Sequence, residues 1–278
     1  MFNTIEKPLI MGILNVTPDS FSDGGRHYSL DKALEQCQKM LAEGADIIDI
    51  GGESTRPGSE PVSAAQQIDR VVPVIEAIQK HIASDILISI DTTQSPVAEA
   101  ALSVGADIIN DISAGEDDAM IFDLAAKRQA PIILMHKQGT PKTMQDKPHY
   151  QDVVGEVLNH LMQRINQAIE QGVDRSTIAI DPGIGFGKRK QDNLDLLAHL
   201  DRFVESGYPV LLGTSRKRFM GSILDVAEPT ELITATAVTT ALGVMAGVKL
   251  FRVHDIKENK QAVDVAWAIK QQRCSNNL

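Results

Sequence analysis

The chain is short of several things, and each shortage narrows what it can do. Cysteine occurs only twice in 278 residues, at Cys37 and Cys274. The two lie far apart without a metal-binding spacing, so neither a disulfide framework nor a zinc site is expected, and a reducing compartment fits. No apolar run approaches the roughly 20 residues that span a bilayer, and no charged-then-apolar signal pattern opens the chain. A cytoplasmic protein without a membrane partner is the expectation. Positive charge is also scarce, with 27 Lys and Arg against 37 Asp and Glu for a net charge of −10. That balance disfavours nucleic acid and anionic membranes, which need clustered cations, yet a small anion can still be held by a few Lys and Arg. No low-complexity tract, linker or charge block divides residues 1–278, which read as a single domain.

What the chain does have is a recurrence of eight short apolar runs, nearly all ending in polar residues. Residues 9–14 end at Asn15, 47–50 at Gly51-Gly52-Glu53, 86–90 at Asp91, and 108–109 at Asn110-Asp111. Residues 132–135 end at His136, 178–180 at Asp181, and 210–213 at Thr214-Ser215-Arg216-Lys217, while 250–253 carry Arg252 and lead into His254-Asp255. Segments of helical period lie between them, so strand and helix alternate to the end of the chain. Polar residues at the downstream ends of buried parallel strands are where an eight-stranded (β/α)8 TIM barrel, an α/β fold, builds its active site. A doubly wound open sheet shares the alternation but usually carries a glycine-rich phosphate loop after its first strand; no G-x-G-x-x-G follows here.

Three helical segments are clear. In the first, Ile68, Val71, Val72, Ile75 and Ile78 share a face, Ser63 and Gln66 form a capping-box start, and Pro73 is expected to kink the helix. The second is expected over 150–171, with Val154, Leu158, Leu161, Ile165 and Ile169 inward and Gly172 as a stop. Near the end, Ala262, Val265, Ala266 and Ile269 repeat the pattern. An internal echo, Gly44-Ala45-Asp46-Ile47-Ile48 and Gly105-Ala106-Asp107-Ile108-Ile109, reads twice as a helix-ending glycine, a turn and entry to a strand. Two early loops, 15–25 and 51–58, are long and rich in Gly, Pro, hydroxyl and charged residues, a composition suited to lids that close over a ligand. Scattered His27, His81, His149, His160 and His199 suit surface or packing roles; His136, at a strand end, reads equally as site lining or structure. Lys188-Arg189-Lys190 reads as the solvated start of a helix rather than a phosphate patch.

These residues together carry a specific resemblance. Gly12-Ile13-Leu14-Asn15-Val16-Thr17-Pro18-Asp19-Ser20-Phe21-Ser22-Asp23-Gly24-Gly25 and Gly52-Glu53-Ser54-Thr55-Arg56-Pro57-Gly58 open the pattern. Ile90-Asp91-Thr92, Asn110-Asp111-Ile112, Asp181-Pro182-Gly183-Ile184-Gly185-Phe186-Gly187, Ser215-Arg216-Lys217 and Arg252-Val253-His254-Asp255 complete it in order. The set resembles the dihydropteroate synthases, bacterial folate-pathway transferases with a barrel fold, over about residues 8–265. The resemblance implies joining 6-hydroxymethyl-7,8-dihydropterin diphosphate to para-aminobenzoate, with release of diphosphate and inhibition by sulfonamides.

It also implies roles for residues. Asp181 would accept the paired N–H donors of the pterin edge, Asn110 and Asp91 would meet other ring nitrogens, and Lys217 the ring oxygen and N5 side. Met135 and Phe186 would flank the ring, with Gly213 also among the ligand-contact positions. Arg252 and His254 alternate with Val253, so they share one side of the last strand, and the resemblance puts the diphosphate there. Asn15 would bind a Mg²⁺ ion bridging its oxygens. Phe21, Thr55, Arg56 and Pro57 would pocket the aminobenzoate, and Ser215 its carboxylate. Asp91, Asp181, Lys217 and Arg252 are the expected catalytic residues for a dissociative reaction through a pterin cation. Small-molecule substrates and a homodimer are the implied partners. Two competing readings are a methyltetrahydrofolate-dependent methyltransferase and a non-catalytic pterin-binding paralogue; the first should lack the anion-binding residues around Lys217 and Arg252, the second part of the loop or anion residues.

Overall fold

The computed structural model describes residues 2–17, 25–54, 58–82, 86–140, 142–144 and 146–275. The strands are β1 (Leu9–Asn15), β2 (Ile47–Gly51), β3 (Leu87–Asp91), β4 (Ile108–Asp111), β5 (Ile132–Met135), β6 (Ile178–Asp181), β7 (Leu211–Leu212) and β8 (Leu250–Val253). They form one sheet in the order β6-β5-β4-β3-β2-β1-β8-β7, every pair parallel, and an Ile180–Val210 bridge joins its two ends. The sheet is therefore a closed barrel with no long free edge.

Around it lie α1 (Gly25–Ala42), α2 (Ala64–His81), α3 (Ser95–Ser103), α4 (Met120–Arg128), α5 (Val153–Glu170), α6 (Lys190–Ala198), α7 (Leu200–Val204), α8 (Arg218–Leu224), α9 (Ile233–Ala246) and α10 (Ile256–Ser275). The strand residues facing these helices, such as Ile10, Ile48, Ile90, Ile109, Leu134, Ile180, Leu212 and Phe251, all belong to one large apolar cluster. Both faces of each strand are thus covered, which is why the runs read as continuous Ile, Leu and Val.

The barrel interior is layered. Strand register puts Met11 beside Ile47 and Arg252, Asn110 beside Ile133, and Met135 beside Asp181, so these residues point inward together. Met11, Ile47, Ile108, Ile133, Ala179, Leu211 and Leu250 fill the lower interior, and Phe2, from a 3-10 turn at Phe2–Thr4, closes its base. One pleat step downstream the inward residues become Asp49, Ser89, Asn110, Asp181 and Arg252, and a second step along β3 brings Asp91.

Local details agree with the sequence in some places and correct it in others. The capping box is present, with Gln66 N–H donating to Ser63 Oγ and Ser63 N–H to the Gln66 side chain. Helix α2 runs on unbroken across Pro73. Helix α5 begins three residues later than expected, capped by Asp152, and its buried stripe is Val153, Val157, Leu161, Ile165 and Ala168. Val154 and Leu158 are only half-buried and Ile169 is exposed, so the stripe is turned by one residue. On α10 the correction is larger: Val263 and Ala266 face inward, whereas Val265 and Ile269 are exposed.

The internal echo is a repeated joint. Gly44 and Gly105 both take left-handed backbone, at φ of 100° and 108°. Asp46 and Asp107 then each accept a hydrogen bond from the entry of the preceding strand, from Ile10 N–H and Ile88 N–H at 2.8 Å.

Candidate active site

The downstream strand ends open onto one cavity of about 780 Å³. Asn15, Asn110, Met135, Asp181, Phe186, Gly213, Ser215, Lys217, Arg252 and His254 all line it. Asp91 lies behind this wall and reaches it through Arg252. Phe21, Thr55, Arg56 and Pro57 lie outside the described residues, as does most of the first long loop.

Arg252 is the hub. Its Nε donates to Asp49 Oδ2 and its Nη2 to Asp91 Oδ2, both at 2.6 Å, while Asn110 Nδ2 donates to the same Asp49 oxygen at 3.2 Å. Burial alone would lower the guanidinium, but Asp49 and Asp91 outweigh it and hold it above its ordinary value. Burial pushes the Asp91 carboxyl up to about 7 against the pull of Arg252, with Asp49, Asp111 and Glu53 adding to the rise. Asp49 is fully buried, and its other oxygen, Oδ1, has no partner among the described residues. Sequence reasoning passed over Asp49 although a signal was there: a single carboxylate inside Ile47-Ile48-Asp49-Ile50, at an inward position two residues before the strand end.

Asp181 ends β6 on the wall of the same cavity. Burial raises it to about 6, against Gly183 N–H at 2.7 Å and the nearby charges of Lys217, Lys188 and Arg252. Lys217 is lowered to about 8 by burial and then by Arg252, and its ammonium stands 4.1 Å over the centre of the Phe186 ring. Phe186 and Met135 pack with Ile112 and Met144 as a small apolar wall. A flat ring laid there would have carboxylate, amide and ammonium at its edges and apolar surface on its face.

The anion side is built from two strand ends that grip each other. Ser215 Oγ lies 3.0 Å from His254 Nδ1 and accepts from His254 N–H at 3.1 Å. Arg216 forms a two-pronged pair with Asp255, at 3.0 and 2.6 Å. Burial, then Arg252 and Arg216, hold the His254 imidazole down at about 3, so it is neutral before an anion arrives. The stub of the second loop is anchored to α2: Gln67 bonds Glu53 at 2.6 Å and Thr92 at 3.1 Å, and Arg70 donates to the Gly52 carbonyl.

One basic run differs from its sequence reading. Arg189 and Lys190 are exposed, but Lys188 is 3 % exposed and its ammonium contacts His136 Nδ1 at 3.0 Å and the Phe186 carbonyl at 3.1 Å. The preceding turn is tight enough to pull the side chain in: Gly183, Gly185 and Gly187 all have positive φ. A Cβ on Gly183 would fall 1.8 Å from the His136 carbonyl oxygen, so only glycine lets that backbone approach. His136 is thus buried, and it packs edge-on against His160 with ring centres 4.9 Å apart.

The profile of pterin binding enzymes matches residues 11–254. The dihydropteroate synthase of Streptococcus pyogenes serotype M6 is 51% identical over 257 residues, covering 92% of this chain and 93% of the relative. The chain belongs to the dihydropteroate synthase family of pterin-binding enzymes. The family's solved folds superimpose on it closely: the Yersinia pestis synthase in complex with a sulfonamide drug gives a TM-score of 0.89 at 40% identity, covering 96% of each chain. The Xanthomonas albilineans synthase with 4-aminobenzoic acid gives 0.89 at 41% identity, over 96% of this chain and 94% of that one. Both the barrel and the transferase class expected from the sequence are those of this family.

Proposed function

We propose that this family member works by a dissociative condensation in the cavity at the downstream ends of its strands. As a dihydropteroate synthase family enzyme it joins 6-hydroxymethyl-7,8-dihydropterin diphosphate to para-aminobenzoate, giving 7,8-dihydropteroate and diphosphate. The observation that carries the mechanism is the buried Asp181 carboxylate on a cavity wall that also presents Lys217 and Arg252, with the buried Asp91 carboxylate held against Arg252.

Asp181 accepts the donor pair of the pterin edge, Asn110 and Asp91 meet other ring nitrogens, and Lys217 meets the ring oxygen and N5 side. Met135 and Phe186 support the ring face, with Gly213 leaving room at its edge. Arg252 and His254 receive the diphosphate, Arg252 as a cation and His254 first as a neutral donor. The carbon–oxygen bond to diphosphate breaks with its electron pair leaving on oxygen. The resulting cation, spread over the pterin, is favoured by the carboxylates in their low-dielectric surroundings. The aminobenzoate nitrogen then forms the new bond and gives up one proton to the released diphosphate. Ser215 takes the aminobenzoate carboxylate, and Phe21, Thr55, Arg56 and Pro57 close the pocket, excluding water that would capture the cation.

Among the described residues no cluster of His, Cys, Asp and Glu could hold a resident metal. Asn15 ends β1 on the cavity wall beside Gly51, and a single amide oxygen suits Mg²⁺ that arrives coordinated by diphosphate and water. When bound there, the ion would neutralise charge on the leaving group.

The chain acts as one domain, in the cytoplasm, on small molecules. No helix among the described residues is long and apolar enough to cross a membrane, and Cys37 is a buried free thiol. A homodimer is supported by Val238 and Leu242 on α9 and Val265 and Ile269 on α10, all more than half exposed. These helices pack against each other, and each carries two of the four exposed apolar residues. The deciding assay is diphosphate release from pterin diphosphate, para-aminobenzoate and Mg²⁺. Release that ignores aminobenzoate, from folded protein, would reject the reading, and sedimentation as a monomer would reject the dimer.

A further inference from the structure

We infer that Lys188 is a positioning residue for the pterin seat: its buried ammonium locks the turn carrying Asp181 and Phe186 onto the end of β5 and keeps the Asp181 carboxylate charged. The inference deepens the proposed site and rests on Asp181 being the group that receives the pterin edge.

The geometry is specific. Lys188 Nζ reaches His136 Nδ1 at 3.0 Å, the Phe186 carbonyl at 3.1 Å and the His136 carbonyl at 3.4 Å, which occupies all the donors an ammonium has. Because Lys188 donates to Nδ1, His136 must be neutral there, and burial followed by the charge of Lys188 holds the imidazole down at about 2. Two of these partners belong to the strand end that carries Met135, and the third belongs to Phe186. The same ammonium lies next to Gly183, 3.3 Å from where its Cβ would be, and Gly183 N–H is the donor that fixes Asp181. One cation therefore holds the Phe186 backbone and the strand end together, and it lies close to the glycine whose N–H anchors the carboxylate. Other bonds clamp the turn from outside, Tyr150 Oη to the Gly187 carbonyl at 2.8 Å and Gly185 N–H to Asn193 at 2.7 Å. A backbone bond from His136 N–H to the Asp181 carbonyl at 3.1 Å joins the two strand ends, and Lys188 adds to it a buried, charged clamp on the turn.

A neutral residue could supply the hydrogen bonds; the charge calls for another explanation. A buried carboxylate that must accept N–H donors is useful only while ionised, and burial works against that. The charged groups facing Asp181 are Lys217, Lys188 and Arg252, and those facing Lys188 are Asp181, Lys217 and Asp192, with His136 and then His160 behind it. Burial lowers Lys188 and raises Asp181, and the attraction between them works against both shifts, so each favours the other's charged form.

The test compares Lys188→Gln and Lys188→Arg with the parent enzyme. Lys188→Gln keeps donors but loses the charge. It should raise KM for the pterin diphosphate about tenfold and move the acid limb of kcat/KM upward by roughly half to one pH unit, with KM for para-aminobenzoate unchanged. Lys188→Arg keeps the charge and should hold the acid limb in place. A merely structural lysine would lower thermal stability and leave the acid limb where it was, and that result overturns the inference. Should Lys188→Gln not fold, Lys188→Met takes its place as a neutral side chain of similar length: an acid limb that coincides with the parent's rejects the inference, and one displaced upward supports it. Asp181→Asn is the control on the underlying reading. If that variant binds pterin diphosphate normally, the proposed seat is wrong; if it fails to bind and Lys188→Gln shows no shift, only the role of Lys188 is.

Discussion

The two halves of the barrel interior are made by the same strands, yet they are chemically opposite. Below, Met11, Ile47, Ile108, Ile133, Ala179, Leu211 and Leu250 pack as an apolar plug. Two residues further along β2, β4, β6 and β8, the inward positions hold Asp49, Asn110, Asp181 and Arg252. One pleat period separates groups that gain by leaving water from groups that lose by it. The lower half therefore stabilises the barrel, and the upper half uses part of that stability to keep charges where a ligand can reach them.

That contrast can be broken most sharply from above. Lys217→Ala should cut kcat/KM about 10²–10³-fold through loss of an electrostatic contact to the pterin. Its thermal midpoint should stay level or rise, because a buried ammonium beside Arg252 disappears. A midpoint that falls by several degrees would show the upper half to be structural. Ile133→Ala is the mirror case: unfolding free energy should drop by about 2–5 kcal/mol, since the side chain is fully buried and packed on all sides. Per folded molecule, kcat should match the parent in assays normalised by active-site titration.

The pH dependence of stability sharpens the comparison. Asp181 and Asp91 have folded values of about 6 and 7, above the ordinary carboxylate range, so the folded state binds their protons more tightly than the unfolded chain. Their contribution is complete below about pH 4 and is lost as pH rises through 6 and 7. Asp181→Asn should remove part of that slope, so its midpoint should exceed the parent's by most near pH 7 and by least near pH 4. Scanning calorimetry from pH 4 to 8 reads this directly, and parallel curves would mean that Asp181 is not held away from its ordinary value.

The strand ends were legible in the sequence because a buried strand must stop being apolar where its side chains meet a ligand, and Asp91, Asn110, Asp181 and Arg252 mark those points. Asp49 and Lys188 were harder. Asp49 looked like an interruption of an apolar run because its partner, Arg252, is 203 residues away in the chain. Lys188 sat in a basic triplet whose other members are solvated, and only the positive-φ glycines before it reverse the chain enough to bury it. Periodicity also misplaced Val265 and Ile269, since an apolar stripe does not reveal whether its cover is the same chain.

The smallest effects should come from the repeated joint at the strand entries. Asp46 accepts from Ile10 N–H and Asp107 from Ile88 N–H, and both joints lie at the end of the barrel away from the cavity. Replacing either by Ala leaves a strand N–H without its partner, and should cost about 1 kcal/mol each. The joints share no hydrogen-bond partner, so the double variant should lose about the sum, within roughly 0.5 kcal/mol. Neither change should alter KM for either substrate. Asp46→Asn keeps an acceptor and should recover most of the loss. If a joint variant changes pterin KM without further destabilisation, then the lower half is coupled to the site and the division of the barrel into a stabilising floor and a charged mouth is too simple.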